Sequence, residues 1–152
     1  MPHKSHTVDR LIKEKRELLD ALARTEIEHL RHRKVVIVDD SEESIMLMSN
    51  FLKDGAADYQ LKTFTNEFQV LEEIGRQTPD LIIMDLMMKN INGDKLALTI
   101  KNLNFFNGPI LFVSSDTKYQ KELENLFGKA VNFMSKPIDK KLFVNKIAKM
   151  LG

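Results

Sequence analysis

Three carboxylates, a hydroxyl and an ammonium group stand within two residues of the ends of short apolar runs of the sequence. They belong to Asp39, Asp40, Asp85, Ser114 and Lys136. Three carboxylates brought together suit a hard divalent cation, because its charge removes their mutual repulsion. The hydroxyl and the lysine are then free to bind an anion that the cation also contacts. These residue types predict a site for a cation and an anion, provided that the fold gathers them in one place.

The apolar runs before these residues are typical of strands that are covered on both faces, because they lack the alternation of a half-exposed strand. Amphipathic stretches with helical spacing lie between the runs, and glycines mark several boundaries. The strand candidates are VVIV (35–38), YQLKTF (59–64), LIIM (81–84), ILFV (110–113) and AVNFM (130–134), and the helical stretches are 42–53, 67–76, 93–103, 117–128 and 139–150.

Five strands that alternate with five helices predict an α/β fold, a doubly wound five-stranded parallel sheet in a (βα)5 three-layer sandwich. Ligands of such sheets bind at the carboxyl ends of the strands, where the winding reverses. The five candidate side chains all stand at such ends, so we expect them to meet at one rim of the sheet. This arrangement explains why two acids, Asp39 and Asp40, are adjacent at the end of a buried strand.

Taken singly, each candidate also has a structural explanation. Asp40 or Ser41 could cap the helix that follows, and Ser114 could cap a later one. Asp85 could be an ordinary loop acid, and Lys136 could be a solvated lysine. All of these explanations would have to coincide, each at the right strand end, and this favours a shared site.

Four segments resemble the receiver domain of bacterial two-component response regulators, which has a CheY-like, flavodoxin-like fold. The resemblance covers about residues 34–150 and is highly specific because all four segments occur together. They are VDD (38–40), DLMMKNING (85–93), PILFVSS (109–115) and FMSKP (133–137). The last segment also predicts a tight turn at Lys136-Pro137 that can hold a cis peptide bond.

The resemblance implies a role for each acid at the rim. Asp85 would be the phospho-acceptor. Asp39 and Asp40 would be the acidic pair that positions Mg2+, and Asp85 itself and the main-chain carbonyl of Met87 would complete the protein ligands.

The resemblance also implies how the phosphoryl group is sensed. Ser114 would be the hydroxyl that moves to a phosphoryl oxygen, and Lys136 would form an ion pair with the group. Phe133 would be the switch aromatic that follows the hydroxyl inward.

The implied function is that of a phosphorylation-dependent signalling switch. A sensor histidine kinase, a phosphotransfer protein or a small phosphodonor would supply the phosphoryl group. Phosphorylation would change the surface of the last two helices and the strand between them, residues 117–150, and so control a downstream effector protein or an output domain. The resemblance implies no enzymatic activity beyond self-directed phosphoryl transfer and autodephosphorylation.

Four positions depart from the family pattern or bear on the lifetime of the phosphoryl group. Lys89 stands where proline is common, which makes the loop less rigid and adds a cation near the site. Met87 and Asp116 occupy positions that tune the lifetime in the family. Ser115 stands where alanine is frequent and could compete with Ser114. None of these residues removes a required group.

Three alternatives remain beside this interpretation. A flavin-binding flavodoxin shares the fold, but VDDSEES (38–44) would repel the flavin phosphate. A phosphatase of the haloacid dehalogenase type also uses an aspartate nucleophile, but it carries a D-x-D pattern on the first strand. The third alternative is that the chain, trimmed at Gly152, is the regulatory half of a longer regulator with a nucleotide cyclase or DNA-binding output.

The amino-acid composition bears on the other functions and locations that the protein could have. Basic and acidic residues nearly cancel, at 23 and 22, so composition does not indicate a nucleic-acid-binding surface. The absence of cysteine excludes a disulfide scaffold and fits a reducing compartment. No signal peptide or membrane span is apparent. We therefore expect a soluble, cytoplasmic bacterial protein that binds neither nucleic acid directly nor a membrane.

Residues 1–33 form a separate, N-terminal helical extension that the resemblance does not cover. Their apolar residues recur at helical spacing in a broad stripe that Lys15 and Glu26 interrupt. We predict an amphipathic helix that ends near His32, at the edge of the sheet opposite the phosphorylation rim. This places it poorly for a lid, so we expect a docking or dimerisation helix, and homodimerisation is favoured over packing on its own domain. The histidines of this segment (His3, His6, His29 and His32) lack acidic partners and are a weak indication of a metal site.

Overall fold

Five parallel strands form one sheet, and six helices accompany them in the part of the chain that the structure describes. The strands are β1 (Lys34–Val38), β2 (Gln60–Phe64), β3 (Leu81–Asp85), β4 (Ile110–Ser114) and β5 (Asn132–Ser135). The helices are α1 (Pro2–Leu30), α2 (Glu42–Lys53), α3 (Glu67–Arg76), α4 (Gly93–Asn102), α5 (Tyr119–Phe127) and α6 (Lys140–Leu151). The computed structural model describes residues 2–30 and 32–152, and the side chains of 6–27 and 32–152.

The strand order is β2-β1-β3-β4-β5, and all neighbouring strands pair in parallel. The winding therefore reverses between β1 and β3, and the carboxyl ends of these two strands lie side by side. The doubly wound, three-layer sandwich predicted from the sequence is confirmed.

The core lies in two layers, one on each face of the sheet. Alternate residues of a strand point to opposite faces, so Val36 and Val38 pack in one layer while Val35 and Ile37 pack in the other. Each of β1, β3 and β4 has five residues, and all of them are buried. Burial on both faces is the physical reason why these strands appear in the sequence as unbroken apolar runs.

The element boundaries depart from the prediction mainly near the fourth and fifth strands. Helix α5 begins at Tyr119 rather than at 117, because the chain first turns through Asp116, whose carboxylate accepts a hydrogen bond from the Lys118 N–H. Strand β5 covers Asn132–Ser135 rather than 130–134. Gly128 has a φ of 92°, and its carbonyl accepts a hydrogen bond from the Val131 N–H, so a turn occupies the predicted strand start.

Helix α1 ends at Leu30, close to the predicted end at His32. His32 has a φ of 63°, a left-handed conformation that is common just after a helix. The His32 N–H donates to the carbonyl of Asp58 at 2.7 Å, and the Gln60 N–H donates to the carbonyl of Arg33 at 2.9 Å. These bonds attach residues 32 and 33 to the start of β2.

The side chains of His3 and His29, which were considered as metal ligands, lie outside the described residues. Among the helices of the described chain, none is long and apolar enough to cross a membrane.

Candidate functional site

The three predicted acids meet at the carboxyl ends of β1 and β3. The two strands pair with Val38 opposite Met84, so the residues that follow, Asp39 and Asp85, come side by side. Carboxylate oxygens of Asp39, Asp40 and Asp85 all lie within 4.8 Å of one another. Asp39 is fully buried and Asp85 is 4% exposed, while Asp40 is half-buried. The predicted acidic cluster is therefore formed at the rim.

Backbone N–H groups and the start of α2 hold the first two acids in place. Asp39 Oδ1 accepts a hydrogen bond from the Ser41 N–H at 2.9 Å, and Asp40 Oδ2 accepts one from the Lys89 N–H at 3.0 Å. The N-cap of α2 is Ser41, whose hydroxyl accepts from the Ser44 N–H at 3.3 Å. Since Ser41 serves as the cap, Asp40 remains available at the cluster.

Lys136 reaches the cluster from the end of β5. Its Nζ lies 2.9 Å from Asp39 Oδ2 and 3.6 Å from Asp85 Oδ1. It also contacts the Ser44 hydroxyl at 3.4 Å. The Lys136-Pro137 peptide bond is cis. The predicted lysine is thus a partner of the acids rather than a solvated side chain.

Ser114 is fully buried at the end of β4. The preceding residue, Val113, pairs with Asp85, and this register places Ser114 at the same rim. Its hydroxyl accepts a hydrogen bond from the Asp116 N–H at 3.1 Å, and its carbonyl accepts one from the Lys136 N–H at 2.8 Å. Helix α5 has Lys118 as its N-cap, so Ser114 is not a helix cap.

The remaining predicted residues lie beside this group. Phe133 pairs with Phe112 in the register of β4 and β5 and is only half-buried against the core. The Met87 N–H donates to Asp85 Oδ1 at 3.4 Å, and the Met87 side chain is exposed. Ser115, the suggested competitor of Ser114, is exposed.

Two residues of the site were not identified from the sequence. Ser44 lies in the first turn of α2, on the side that faces Lys136, and no pattern in the sequence marks it. Gly93 leaves no room for a side chain, because a Cβ at this position would come 2.1 Å from the carbonyl oxygen of Asp85. The Gly93 N–H donates to the Leu86 carbonyl at 3.1 Å and closes the loop after β3.

Burial and the charge of Asp39 raise the pKa of Asp85 to about 6. Lys136 and the hydrogen bond from the Met87 N–H lower the pKa, and Asp40 adds a smaller increase. The single lysine therefore does not offset the negative charge of the cluster. Carboxylate oxygens with uncompensated charge are the donors that a hard divalent cation such as Mg2+ prefers. The residues present fit such an ion.

Replacing Asp40 with alanine is expected to weaken Mg2+ binding without unfolding the protein. The change removes one carboxylate ligand, and we expect the dissociation constant for Mg2+ to rise about 10–100-fold. Without metal, the free energy of unfolding should stay the same or increase, since repulsion within the cluster falls. Calorimetric titration and urea unfolding measure the two quantities, with Glu43→Ala, at an exposed acid of α2, as the control. Equal Mg2+ affinity of Asp40→Ala and the unaltered protein would contradict this assignment.

The sequence of the chain matches a family model and several known proteins. The family model described as the response regulator receiver domain matches residues 35–148. The nisin biosynthesis regulatory protein NisR of Lactococcus lactis subsp. lactis is 31% identical over 114 residues, which are 75% of this chain and 48% of that protein. This chain spans about half the length of the first relatives that it matches.

Solved structures show the same fold. The chemotaxis protein CheY4 of Vibrio cholerae superposes with a TM-score of 0.68 at 22% identity, over 78% of this chain and 98% of that one. A two-component response regulator from Clostridium difficile superposes with a TM-score of 0.69 at 19% identity, over 79% and 96% of the two chains.

Proposed function

Because this chain belongs to the response regulator receiver domain family, we propose that it is a phosphorylation-dependent signalling switch with Asp85 as the phospho-acceptor. The observation that supports this proposal best is the contact of Lys136 with both Asp39 and Asp85, in a cluster that also contains Asp40. A nucleophilic carboxylate, further acids for a cation and a fixed ammonium group are the parts that phosphoryl transfer to an aspartate needs.

In the proposed reaction, an Asp85 carboxylate oxygen attacks the phosphorus atom of the donor. The new bond joins this oxygen to phosphorus, and the bond from phosphorus to the leaving nitrogen or oxygen breaks. The electron pair of the broken bond leaves with the donor, and Asp85 becomes an acyl phosphate. The attack requires the ionised carboxylate, which the raised pKa of Asp85 disfavours in the metal-free protein.

Asp39, Asp40, Asp85 and the main-chain carbonyl of Met87 would hold Mg2+. The bound ion would neutralise charge on the acids and on the phosphoryl oxygens and would orient the attack in line. Lys136 already lies 3.6 Å from Asp85 Oδ1, so its ammonium group can exchange its contact with Asp39 for one with the phosphoryl group. It thereby stabilises the charge that arrives with that group.

Ser114 and Phe133 would convert the new charge into a change of shape. The phosphoryl group adds acceptor oxygens to the rim where Ser114 lies. Among the described residues, the Ser114 hydroxyl accepts a hydrogen bond only from the Asp116 N–H. Rotation of the hydroxyl toward a phosphoryl oxygen would release Asp116 and shift the start of α5. Phe133 is only half-buried and can move into the space that results. The surface formed by α5, β5 and α6 then changes, which is a two-state response to a local charge.

The partners of the switch follow from the chemistry of the acceptor. A sensor histidine kinase or a phosphotransfer protein carries phosphorus bound to an imidazole nitrogen, and a small acyl phosphate offers an equivalent leaving group. Downstream, the surface of α5, β5 and α6 would control either a separate effector protein or an output domain of a longer regulator.

Ser114→Ala tests the proposed switch separately from phosphorylation. We expect this protein to accept a phosphoryl group at a rate within about threefold of the unaltered one, because the nucleophile, the acids and Lys136 are unchanged. The amide chemical shifts of α5 and β5 should move much less on phosphorylation, because no hydroxyl can bond to the new oxygens. Two-dimensional NMR with acetyl phosphate and Mg2+ measures both, and Ser115→Ala is the matched control. A full spectral response in the Ser114→Ala protein would remove this serine from the switch.

A further inference from the structure

Helix α1 carries an apolar stripe that its own domain leaves exposed. We define the apolar stripe as Val8, Leu11, Ile12, Leu18, Leu19, Leu22 and Ile27, whose exposed fractions lie between 40% and 62%. Every described side chain of this helix, residues 6–27, is exposed. Most of the stability of a helix in a protein comes from the packing of its apolar face, so the apolar stripe needs a second surface.

The junction between α1 and the sheet limits what that surface can be. The His32 N–H bonds to the Asp58 carbonyl, and the Arg33 guanidinium lies 3.5 Å from the Asp80 carboxylate. The Lys34 N–H bonds to the same carboxylate at 2.8 Å. His32, Arg33 and Lys34 are therefore all bonded to the sheet domain, and these bonds fix where the chain enters the domain after α1.

Two opposite charges lie within the apolar stripe. Successive residues of an α-helix are separated by about 100°, which places Lys15 and Glu26 within about 20° of each other around the axis. Both project between Leu22 on one side and Leu19 on the other. Burying either charge alone would be costly, so a partner must offer an acid opposite Lys15 and a base opposite Glu26.

We propose that α1 pairs with α1 of a second copy of this chain, and that the two helices run antiparallel with their crossing centred between Asp20 and Ala21. This register places Lys15 of each copy opposite Glu26 of the other. It also places Leu19 of each copy opposite Leu22 of the other, so the middle of the interface is apolar. Because of the twofold symmetry, the dimer contains two such Lys15–Glu26 pairs, and no charge of the apolar stripe is left unpaired.

A parallel, in-register pair lacks this complementarity. It would place Lys15 against Lys15 and Glu26 against Glu26, which destabilises a two-helix interface. The distribution of charge along α1 also favours the antiparallel orientation. Residues 6–16 contain four basic and two acidic side chains, whereas residues 17–27 contain one basic and three acidic ones. Antiparallel pairing sets the basic half of each helix against the acidic half of the other.

This dimer does not depend on the proposed phosphorylation. Helix α1 joins the sheet before β1, at the edge opposite the carboxyl ends where Asp85 lies. The unphosphorylated protein and an Asp85→Asn variant are therefore expected to dimerise equally. Loss of phosphorylation and loss of dimerisation are thus separate outcomes.

Charge reversal within the apolar stripe tests the pairing. By sedimentation equilibrium of the full chain, we expect Lys15→Glu and Glu26→Lys each to raise the dimer dissociation constant about tenfold, since two attractive contacts become repulsive. The double variant restores both pairs and should return to the original constant. Lys13→Glu and Glu17→Lys make the same charge changes on the opposite face of the helix and should have little effect. Four equal constants for the unaltered, single and double variants would overturn the antiparallel register.

Spin-label distances test the orientation directly, and the cysteine-free chain allows single labels at Asp9→Cys and Asp20→Cys. In the antiparallel dimer, the two labels are offset along the axis by about 35 Å for residue 9 and by almost nothing for residue 20. Electron paramagnetic resonance should therefore give a much longer distance for the first label. Equal distances for both labels would show a parallel dimer, and a monomer at all accessible concentrations would show that α1 does not pair. Either result overturns the proposal.

Discussion

An Asp85→Asn protein is expected to gain no phosphoryl group when it is incubated with acetyl phosphate and Mg2+, whereas the unaltered protein gains one. The amide of asparagine lacks a carboxylate oxygen that can form an acyl phosphate, so the rate should fall by at least about 100-fold. Intact-mass spectrometry under acidic conditions that preserve the acyl phosphate measures the occupancy. Asp54→Asn, at an exposed acid that pairs with Lys140, is the matched control and should be modified normally. Equal modification of the Asp85→Asn protein would place the acceptor elsewhere.

The same substitution is expected to change how stability depends on pH in the absence of metal. The pKa of Asp85 is about 6 in the folded protein, against an ordinary value of 3.8 for an aspartate. The ionised form is therefore disfavoured by folding, and the protein loses stability as the pH rises from about 4 to above 6. Above that window the cost no longer grows with pH.

Asp85→Asn removes this cost. In urea unfolding with a chelator present, we expect the variant to be more stable than the unaltered protein at pH 7.5, and the difference to shrink as the pH falls toward 4. A difference that did not vary with pH would show that the stability change has another origin.

Lys136→Met is the second change with a large expected effect. Methionine keeps much of the length of the side chain but removes the ammonium group that lies 2.9 Å from Asp39 and 3.6 Å from Asp85. Phosphorylation by acetyl phosphate should slow about 100-fold, because a preorganised positive charge no longer stabilises the charge of the transferred group. Mg2+ should bind as well or better, since the acids have lost a competing cation.

The phosphorylation rate and the Mg2+ affinity together separate a role of Lys136 in the reaction from a role in holding the acids in place. A slow reaction with intact Mg2+ binding indicates the first role. Rapid-quench labelling gives the rate, and calorimetry gives the Mg2+ affinity. Lys140→Met, at a lysine whose Asp54 partner is exposed, is the control and should leave both unchanged. If Lys136→Met were phosphorylated at the original rate, the lysine would be only a structural partner of Asp39.

The fold and most of the site could be predicted from the sequence because the signals are local. Strands β1, β3 and β4 are buried on both faces, and this forces unbroken apolar runs whose ends are easy to locate. Once the strands alternate with helices, the carboxyl ends must share one rim, and the residues at those ends follow directly. The acids and Lys136 were found in this way.

What could not be predicted depends on contacts between distant elements. The Ser44 hydroxyl contacts Lys136 only because α2 packs beside the end of β5, and a serine in a helix carries no signal of that distance. Gly93 begins the helical stretch predicted at 93–103, but its close approach to the Asp85 carbonyl depends on the path of the loop after β3. The direct ion pair of Lys136 with Asp39 was also not expected, because the sequence suggested the lysine as a partner of an anion.

For α1, the sequence predicted the helix but not the surface that covers it. Periodicity predicted an amphipathic helix, but amphipathicity does not say which surface covers the apolar face. The exposed apolar stripe and the bonded residues 32–34 support the proposal that a second copy is that surface, and the positions of Lys15 and Glu26 support the antiparallel orientation.

The location of the phosphoryl group on the unaltered protein is the most direct test of Asp85 as the phospho-acceptor. The protein is phosphorylated with acetyl phosphate and Mg2+, and borohydride then reduces the acyl phosphate to an alcohol, which converts the modified aspartate to homoserine. Tandem mass spectrometry of the peptides identifies the position. We expect homoserine at position 85 and unmodified aspartate at 39 and 40. Homoserine at another position, or an unreduced phosphoryl group on a histidine or serine, would contradict it.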